Sequence, residues 1–162
     1  MKKIILILMT ALAFSMNVQA QKIFNEIFSE AKRVMNDPNS NKTLVRLAYF
    51  KYNTLQYIHD KAIMSDKEVT TKFLDDQAYY MSQFINSFIR DAVLNPALTK
   101  SEKKDRIILF MDASCSNPIF KDKDRELVDA YVRDSKNQLT PFCLDTDWPK
   151  AYAAVMSKLK NK

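Results

Sequence analysis

In the stretch KIFNEIFSEAKRVM, residues 22–35, apolar side chains recur at intervals of three and four positions. In a helix of about 3.6 residues per turn, this spacing brings them onto one stripe. The stripe consists of Ile23, Phe24, Ile27, Phe28, Ala31, Val34 and Met35. Asp37 and Pro38 follow, and the proline should end the helix because it cannot continue the hydrogen-bond ladder. The stretch therefore predicts an amphipathic helix that packs on a core.

A second segment, from about Lys42 to Met64, is apolar on two sides. One face carries Leu44, Leu47, Ala48, Tyr52, Leu55, Ile58 and Ala62. The other face carries Phe50, Tyr57 and Met64, which are spaced by seven. A helix that is apolar on two sides is typical of one placed between neighbours, so we expect this segment to be the central helix.

A third helix is expected directly after the second. Ser65 and Glu68 have the spacing of a capping box, and apolar periodicity continues to about Leu94, with Pro96 beyond it. A short connection between two long helices favours antiparallel packing. The sequence therefore predicts a long helical hairpin at the centre of the fold.

Three shorter helices complete the expected architecture. Thr99 and Glu102 repeat the capping spacing before a fourth helix, and a fifth is predicted over residues 122–136. Thr146 or Asp147 should cap the sixth. Fold class is thus predicted as all-α, a single-domain irregular bundle of about six helices.

The chain contains no glycine, which supports helices and excludes several kinds of site. Tight hairpin turns depend on glycine, so a sheet-rich fold would have to turn on asparagine and aspartate alone. Phosphate-binding loops, dinucleotide fingerprints and nucleophile elbows also need glycine where the backbone approaches a ligand or takes positive φ. None of these motifs is present in standard form, and no cofactor is expected.

The N-terminal residues resemble a secretory signal peptide. Lys2 and Lys3 precede an apolar stretch at residues 4–14, and Val18 and Ala20 stand at the positions read by signal peptidase. The apolar stretch is shorter than the roughly 20 residues needed to span a bilayer as a helix. We therefore expect residues 1–20 to be a signal peptide cleaved after Ala20, and the protein to be periplasmic or extracellular.

Residues 21–162 have the length of one domain, and no second long apolar segment suggests a transmembrane span. The whole chain has a formal net charge of +6, but its basic residues are interleaved with acids, apart from the tail KLKNK. A mixed charge pattern is typical of a solvated surface and does not form the basic stripe of a nucleic-acid binder. Nucleic acid is therefore not expected as a partner.

The two cysteines are the sharpest chemical feature. Cys115 lies near the end of the fourth predicted helix, and Cys143 lies in the segment before the last. Two cysteines in a secreted chain usually pair, so a Cys115–Cys143 disulfide is the favoured interpretation. The alternative is a nucleophilic Cys115, which needs a base such as His59, the only histidine. Helical periodicity places His59 among apolar residues, so we favour a core histidine bonded to a tyrosine or carboxylate.

Two acidic clusters are candidates for metal or catalytic sites. Both lack the glycine at the sixth position and the acid at the twelfth position of a calcium loop, so no metal site is expected. Their residues are Asp122, Asp124 and Glu126 in one cluster and Asp145 and Asp147 in the other. Helix-start roles explain them more simply, and no catalytic residue is assigned.

Tyr79 is predicted on a polar helix face together with Arg90. An amphipathic aromatic side chain in such a place is a candidate interaction anchor, so Tyr79 and Arg90 form the candidate interaction surface. We therefore expect a non-catalytic envelope protein that acts through contacts with a protein partner. Two alternatives stay open: an envelope hydrolase using acidic residues or Cys115, and a carrier of lipid or another apolar ligand between the long helices.

Overall fold

The computed structural model describes residues 22–64, 70–120 and 142–160. Over these residues the all-α class is confirmed, and they contain no strand beyond one isolated bridge between Pro118 and Thr146. The helices are α1 (Lys22–Asn36), α2 (Lys42–Met64), α3 (Thr71–Phe88), α4 (Lys100–Cys115) and α5 (Trp148–Lys160), and a π-helical turn (Ile89–Val93) extends α3.

Each amphipathic stripe contributes to one hydrophobic core. Its centre is aromatic: the Phe84 ring lies edge-on to Phe110 and Phe142 at centroid distances of 5.1 and 5.2 Å, and Trp148 is 5.3 Å away. Edge-to-face pairs of this kind are each worth about 0.5–1.5 kcal/mol beyond the burial of their area. α3, α4, α5 and the segment before α5 are therefore held together by the same rings.

The apolar pattern of α2 on two sides is matched by contacts on two sides. Tyr52 stacks on Phe28 of α1 at 4.5 Å, whereas Phe50 lies edge-on to Phe142 and Trp148. The second stripe ends before the end of the helix, because Met64 is 78% exposed. α2 is thus sandwiched, as its sequence predicts, but its packing on α1 is more extensive than its packing on α3.

α3 begins later than predicted, whereas its extension ends near Leu94, as predicted. Thr70 has extended backbone angles and its hydroxyl accepts a hydrogen bond from the Phe73 amide, so the helix begins at Thr71 rather than near Ser65. The predicted capping residues Ser65 and Glu68 lie outside the described residues. At the other end the ladder widens into the π-helical turn before Leu94. α3 contacts α1, α2 and α5, so the central helix of the described bundle is α3 and not α2 as predicted, because α2 packs mainly on α1.

α5 begins against α3. The backbone amide of Trp148 donates to Oε1 of Gln77 at 3.0 Å in the buried interior, so a side chain of α3 satisfies one of the free amides at this helix start. Asp147 accepts from the Lys150 amide and also pairs with the Lys150 ammonium at 2.6 Å. Of the two predicted caps, Asp147 therefore has the capping role. The predicted fifth helix, over residues 122–136, lies outside the described residues.

None of the described helices has the length and hydropathy needed to cross a membrane.

Candidate functional site

The site around Cys115 starts with the placement of α4. Thr99 caps this helix through the predicted capping box: its hydroxyl accepts from the Glu102 amide, and the Glu102 carboxylate accepts from the Thr99 amide at 2.8 Å. The helix runs to Cys115 and is capped by Ser116, whose amide donates to the Asp112 carbonyl. Cys115 is therefore presented at the C-terminal end of α4, where its side chain is exposed.

The end of α4 and the chain after it meet the segment before α5 and form what we call the α4–α5 junction, residues 114–119 and 142–147. The Ile119 amide donates to the Asp145 carbonyl at 2.6 Å, and the Asp147 amide donates to the Asn117 carbonyl at 2.7 Å. These bonds flank the Pro118–Thr146 bridge. The junction therefore aligns the chain before α5 with the chain after α4.

A closed ring of hydrogen bonds lies inside the junction. The Cys143 amide donates to Ser114 Oγ at 2.9 Å, Ser114 Oγ lies 2.6 Å from Thr146 Oγ1, and Thr146 Oγ1 donates to the Cys143 carbonyl at 2.6 Å. Because the single Thr146 proton is used on that carbonyl, Ser114 must be the donor between the two hydroxyls. Ser114 and Thr146 are both buried, so the ring fixes the backbone of Cys143 relative to the end of α4.

The result is that Cys143 Sγ lies 3.0 Å from Cys115 Sγ. The sulfur atoms are in contact as two thiols, since a disulfide bond is about 2.05 Å long. The hydrogen bond from Cys143 lowers the pKa of the Cys115 thiol to about 7, against the opposing effects of burial and of the nearby Asp112 and Asp145 carboxylates. A thiolate at this position would therefore form near neutral pH.

His59, the candidate base for a nucleophilic Cys115, lies on a partly exposed part of α2. His59 is not a core residue: its side chain is 37% exposed, its Nδ1 lies 3.1 Å from the Asp60 carboxylate, and its ring is 6.0 Å from that of Phe24. The expected bond to a carboxylate is present, but the partner is the next residue of an exposed helix face. Cys115 itself contacts Cys143.

Of the two acidic clusters, one has structural roles and the other lies outside the described residues. Asp147 serves as the cap of α5, while the Asp145 carbonyl bonds the junction. Asp122, Asp124 and Glu126 lie outside the described residues. Within the described ranges, no three histidine, cysteine or acidic side chains lie close enough together to hold a metal ion.

Tyr79 belongs to a group that we call the tyrosine surface, formed by Tyr79, Tyr80 and Tyr152. Tyr79 is 44% exposed, and its ring lies edge-on to Tyr80 at 5.2 Å. Tyr80 is half-buried and contacts Tyr152 of α5 at 5.8 Å. The exposed ring is thus supported by two others that belong to different helices, α3 and α5.

Arg90 lies in the π-helical turn that extends α3. Its guanidinium binds the Asp91 carboxylate through two bonds of 2.7 and 2.6 Å. The hydrogen bonding to Asp91 is the main reason that the pKa of Arg90 is raised. Tyr152 also raises it, so Tyr152 lies within electrostatic range of Arg90. A shallow depression of about 500 Å³ lies beside Arg90, and Leu94, 67% exposed, forms part of its wall. The structure therefore places a paired cation near Tyr152, with an exposed apolar side chain beside that cation.

A separate groove of about 610 Å³ lies between α1, α2 and the end of α3. Its apolar wall includes Ile27, Val34, Leu44, Leu47, Ile85 and Ile89. Glu26, Glu30, Arg33 and Lys51 also line it. The groove is open on one side, unlike the internal cavity that a carrier between the long helices would be expected to have.

Sequence reasoning missed the residues that position these sites. Ser114, Thr146 and Gln77 are polar side chains in the core, and each bonds a partner that is distant in sequence. The only signal for Ser114 is its place beside Cys115, and Thr146 stood out only as an alternative helix cap.

The chain matches no protein-family model, and the searches for similar curated proteins and for similar solved structures found no match.

Proposed function

We propose that this protein is a non-catalytic component of the cell envelope that binds a protein partner through the tyrosine surface. The observation that carries the proposal is that Tyr79 is exposed while its ring packs on Tyr80, which in turn contacts Tyr152. A tyrosine held in this way offers a large amphipathic contact area and loses little conformational entropy when it binds.

The border of the surface suits a protein partner. Arg90 is held in a bidentate ion pair with Asp91, so its planar guanidinium keeps one orientation while its side chain stays 70% exposed. Tyrosine and arginine are enriched among the residues that dominate binding energy at protein interfaces. Leu94, in the depression beside Arg90, adds apolar area at the same end. We therefore assign Tyr79 and Arg90 to opposite ends of one interface.

The proposal includes the envelope setting. Residues 1–20 would be removed as a signal peptide, and residues 21–162 would fold as one periplasmic or extracellular domain. In that oxidising setting Cys115 and Cys143 would form a structural disulfide. Residues 122–136 would form the predicted fifth helix, which would bring the total to six, and α2 and α3 would form the antiparallel hairpin.

The hydrolase alternative has less support because its candidate groups have structural roles. Cys115 contacts a second thiol that is well placed to pair with it, and Asp147 is engaged with the amide and the ammonium of Lys150. A nucleophile or an acid in a hydrolase must instead be free to reach the substrate.

Photo-crosslinking in the native cell tests the proposal. Gln83 lies one helical turn after Tyr79 on the same face of α3, so benzoylphenylalanine at position 83 would lie at the edge of the interface. We expect a covalent adduct with one envelope protein, and we expect it to be lost when Tyr79→Ala is present in the same chain.

Ile108 provides the matched control, because its exposure of 43% is close to that of Tyr79 and it belongs to α4. The photo-reactive residue at position 108 should give no adduct with that protein. The proposal is wrong if position 83 gives no adduct, or if the adduct forms equally well with Tyr79→Ala.

A further inference from the structure

The groove between α1, α2 and α3 combines an apolar wall with Lys51, a cation that forms no ion pair with any carboxylate of the described residues. Lys51 is half-buried on α2, and burial lowers the pKa of its ammonium group, with the charge of Glu30 acting in the opposite direction. A cation is costly to desolvate in this way unless an anion compensates it. The groove therefore contains a site at which a negative charge would be stabilised.

The carboxylates that line the groove already have partners. Glu30 binds the guanidinium of Arg33 through two bonds of 2.8 and 2.7 Å, and Glu26 lies 3.9 Å from the Lys22 ammonium. Among the residues that the structure describes, no carboxylate lies within ion-pairing distance of Lys51. Of the charged side chains described in the groove, Lys51 is thus the one that a ligand would complement.

The apolar part extends away from Lys51 along α2. Leu44, Leu47, Ala48 and Lys51 follow the i, i+3, i+4, i+7 spacing of one helix face, so Leu44 lies about 10 Å from Lys51 along the axis. Leu44 is 55% exposed at its end of the groove. A volume of about 610 Å³ is within the range of small-molecule sites, roughly 300–1,000 Å³. The shape fits a linear apolar tail with its charged head at Lys51.

We propose that this groove binds a monoanionic amphiphile, a carboxylate with a linear apolar tail, whose head pairs with Lys51 and whose tail lies along Leu47 and Leu44. This binding function is separate from the tyrosine surface.

Isothermal titration calorimetry with decanoate, decanol and decyltrimethylammonium tests the proposal, with the two ions kept below their micelle concentrations and decanol below its solubility limit. Decanoate should bind. The affinity for decanol should be lower by about tenfold or more, because decanol lacks the charge-assisted bond. Lys51→Met should lower the affinity for decanoate to that for decanol without changing the latter. Lys104→Met, at an exposed position of α4, should change neither.

Two further readouts do not depend on a variant. Hexanoate should bind more weakly than decanoate because it buries a shorter tail. Decanoate should shift the amide resonances of Leu47 and Ile89 but not that of Tyr79. The proposal is overturned if decanoate does not bind, if the cationic amphiphile binds as tightly, if Lys51→Met binds decanoate like the wild type, or if sedimentation shows that a second copy of the chain covers the groove.

Discussion

At the scale of single residues, the contact between Cys115 and Cys143 is the most specific geometry in the structure. The two thiols are 3.0 Å apart although 28 positions separate them in the chain. The ring formed by Ser114, Thr146 and the Cys143 backbone holds this approach without any covalent bond. Little motion would therefore be needed for the bridge to form.

The first prediction is that protein recovered from its native compartment without reductant has no free thiol. Its intact mass should correspond to a chain that begins at Gln21 and lacks two hydrogen atoms, because the bridge replaces two S–H groups with one S–S bond. A bridge across this separation should stabilise the fold by about 3.5 kcal/mol on the chain-entropy account. Reactive thiols, or a disulfide-linked dimer, would contradict it.

The second prediction concerns the reduced protein, in which the Cys143 thiol lowers the pKa of Cys115 to about 7. The rate of alkylation by iodoacetamide should rise with pH and be half-maximal near that value, since the thiolate is the nucleophile. Because the unfolded thiol titrates at higher pH, the reduced fold should gain stability as pH rises above about 7 and lose that gain as pH falls through it.

Substitutions at Cys143 separate its hydrogen bond from general burial. Cys143→Ala should move the midpoint of alkylation upward, whereas Cys143→Ser, which keeps a donor, should leave it closer to that of the unsubstituted reduced protein. An unchanged midpoint in Cys143→Ala would show that the hydrogen bond is not the cause.

At the scale of elements, the helix ends carry much of the organisation. α4 begins with a capping box made of its own residues, Thr99 and Glu102, whereas the start of α5 depends on Gln77 from α3. The capping box of α4 is local and could be predicted from the spacing of its residues. The contact of Gln77 with the start of α5 could not, because it depends on how closely two helices approach, and the sequence pattern does not contain that distance.

The third prediction is that Ser114→Ala destabilises the reduced protein by roughly 1–3 kcal/mol in urea denaturation. The substitution leaves the Cys143 amide without its acceptor and Thr146 without its donor, and buried unsatisfied groups carry costs of this size. Ser157→Ala, at an exposed position of α5, should change stability by no more than about 0.5 kcal/mol. Equal effects of the two substitutions would mean that the ring does not stabilise the junction.

At the scale of the whole molecule, the sequence predicts the fold class better than the arrangement. The absence of glycine and the apolar stripes indicate an all-α protein, and the predicted bounds of α2 agree with the structure. Periodicity shows which face of a helix turns inward but not whether its neighbours meet. Leu44, predicted on an inward face, is 55% exposed because α1, α2 and α3 leave the groove open beside it.

For the candidate sites too, features of one helix could be predicted from the sequence, whereas contacts between helices could not. The exposure of Tyr79 could be predicted, since it depends on the polar face of one helix. Its support by Tyr80 and Tyr152 could not, because Tyr152 belongs to α5 and reaches α3 only through the tertiary packing of the two helices. Sequence reasoning thus finds single exposed side chains, and the structure shows which other side chains they contact.

The affinity of the protein captured at position 83 tests the proposed interface most directly. Calorimetry with that purified partner should show binding weakened about tenfold or more by Tyr79→Ala, as expected for a central anchor, and by less than about threefold for Ile108→Ala. Equal losses for the two substitutions, or no loss for Tyr79→Ala, would contradict the assignment of the tyrosine surface as the interface.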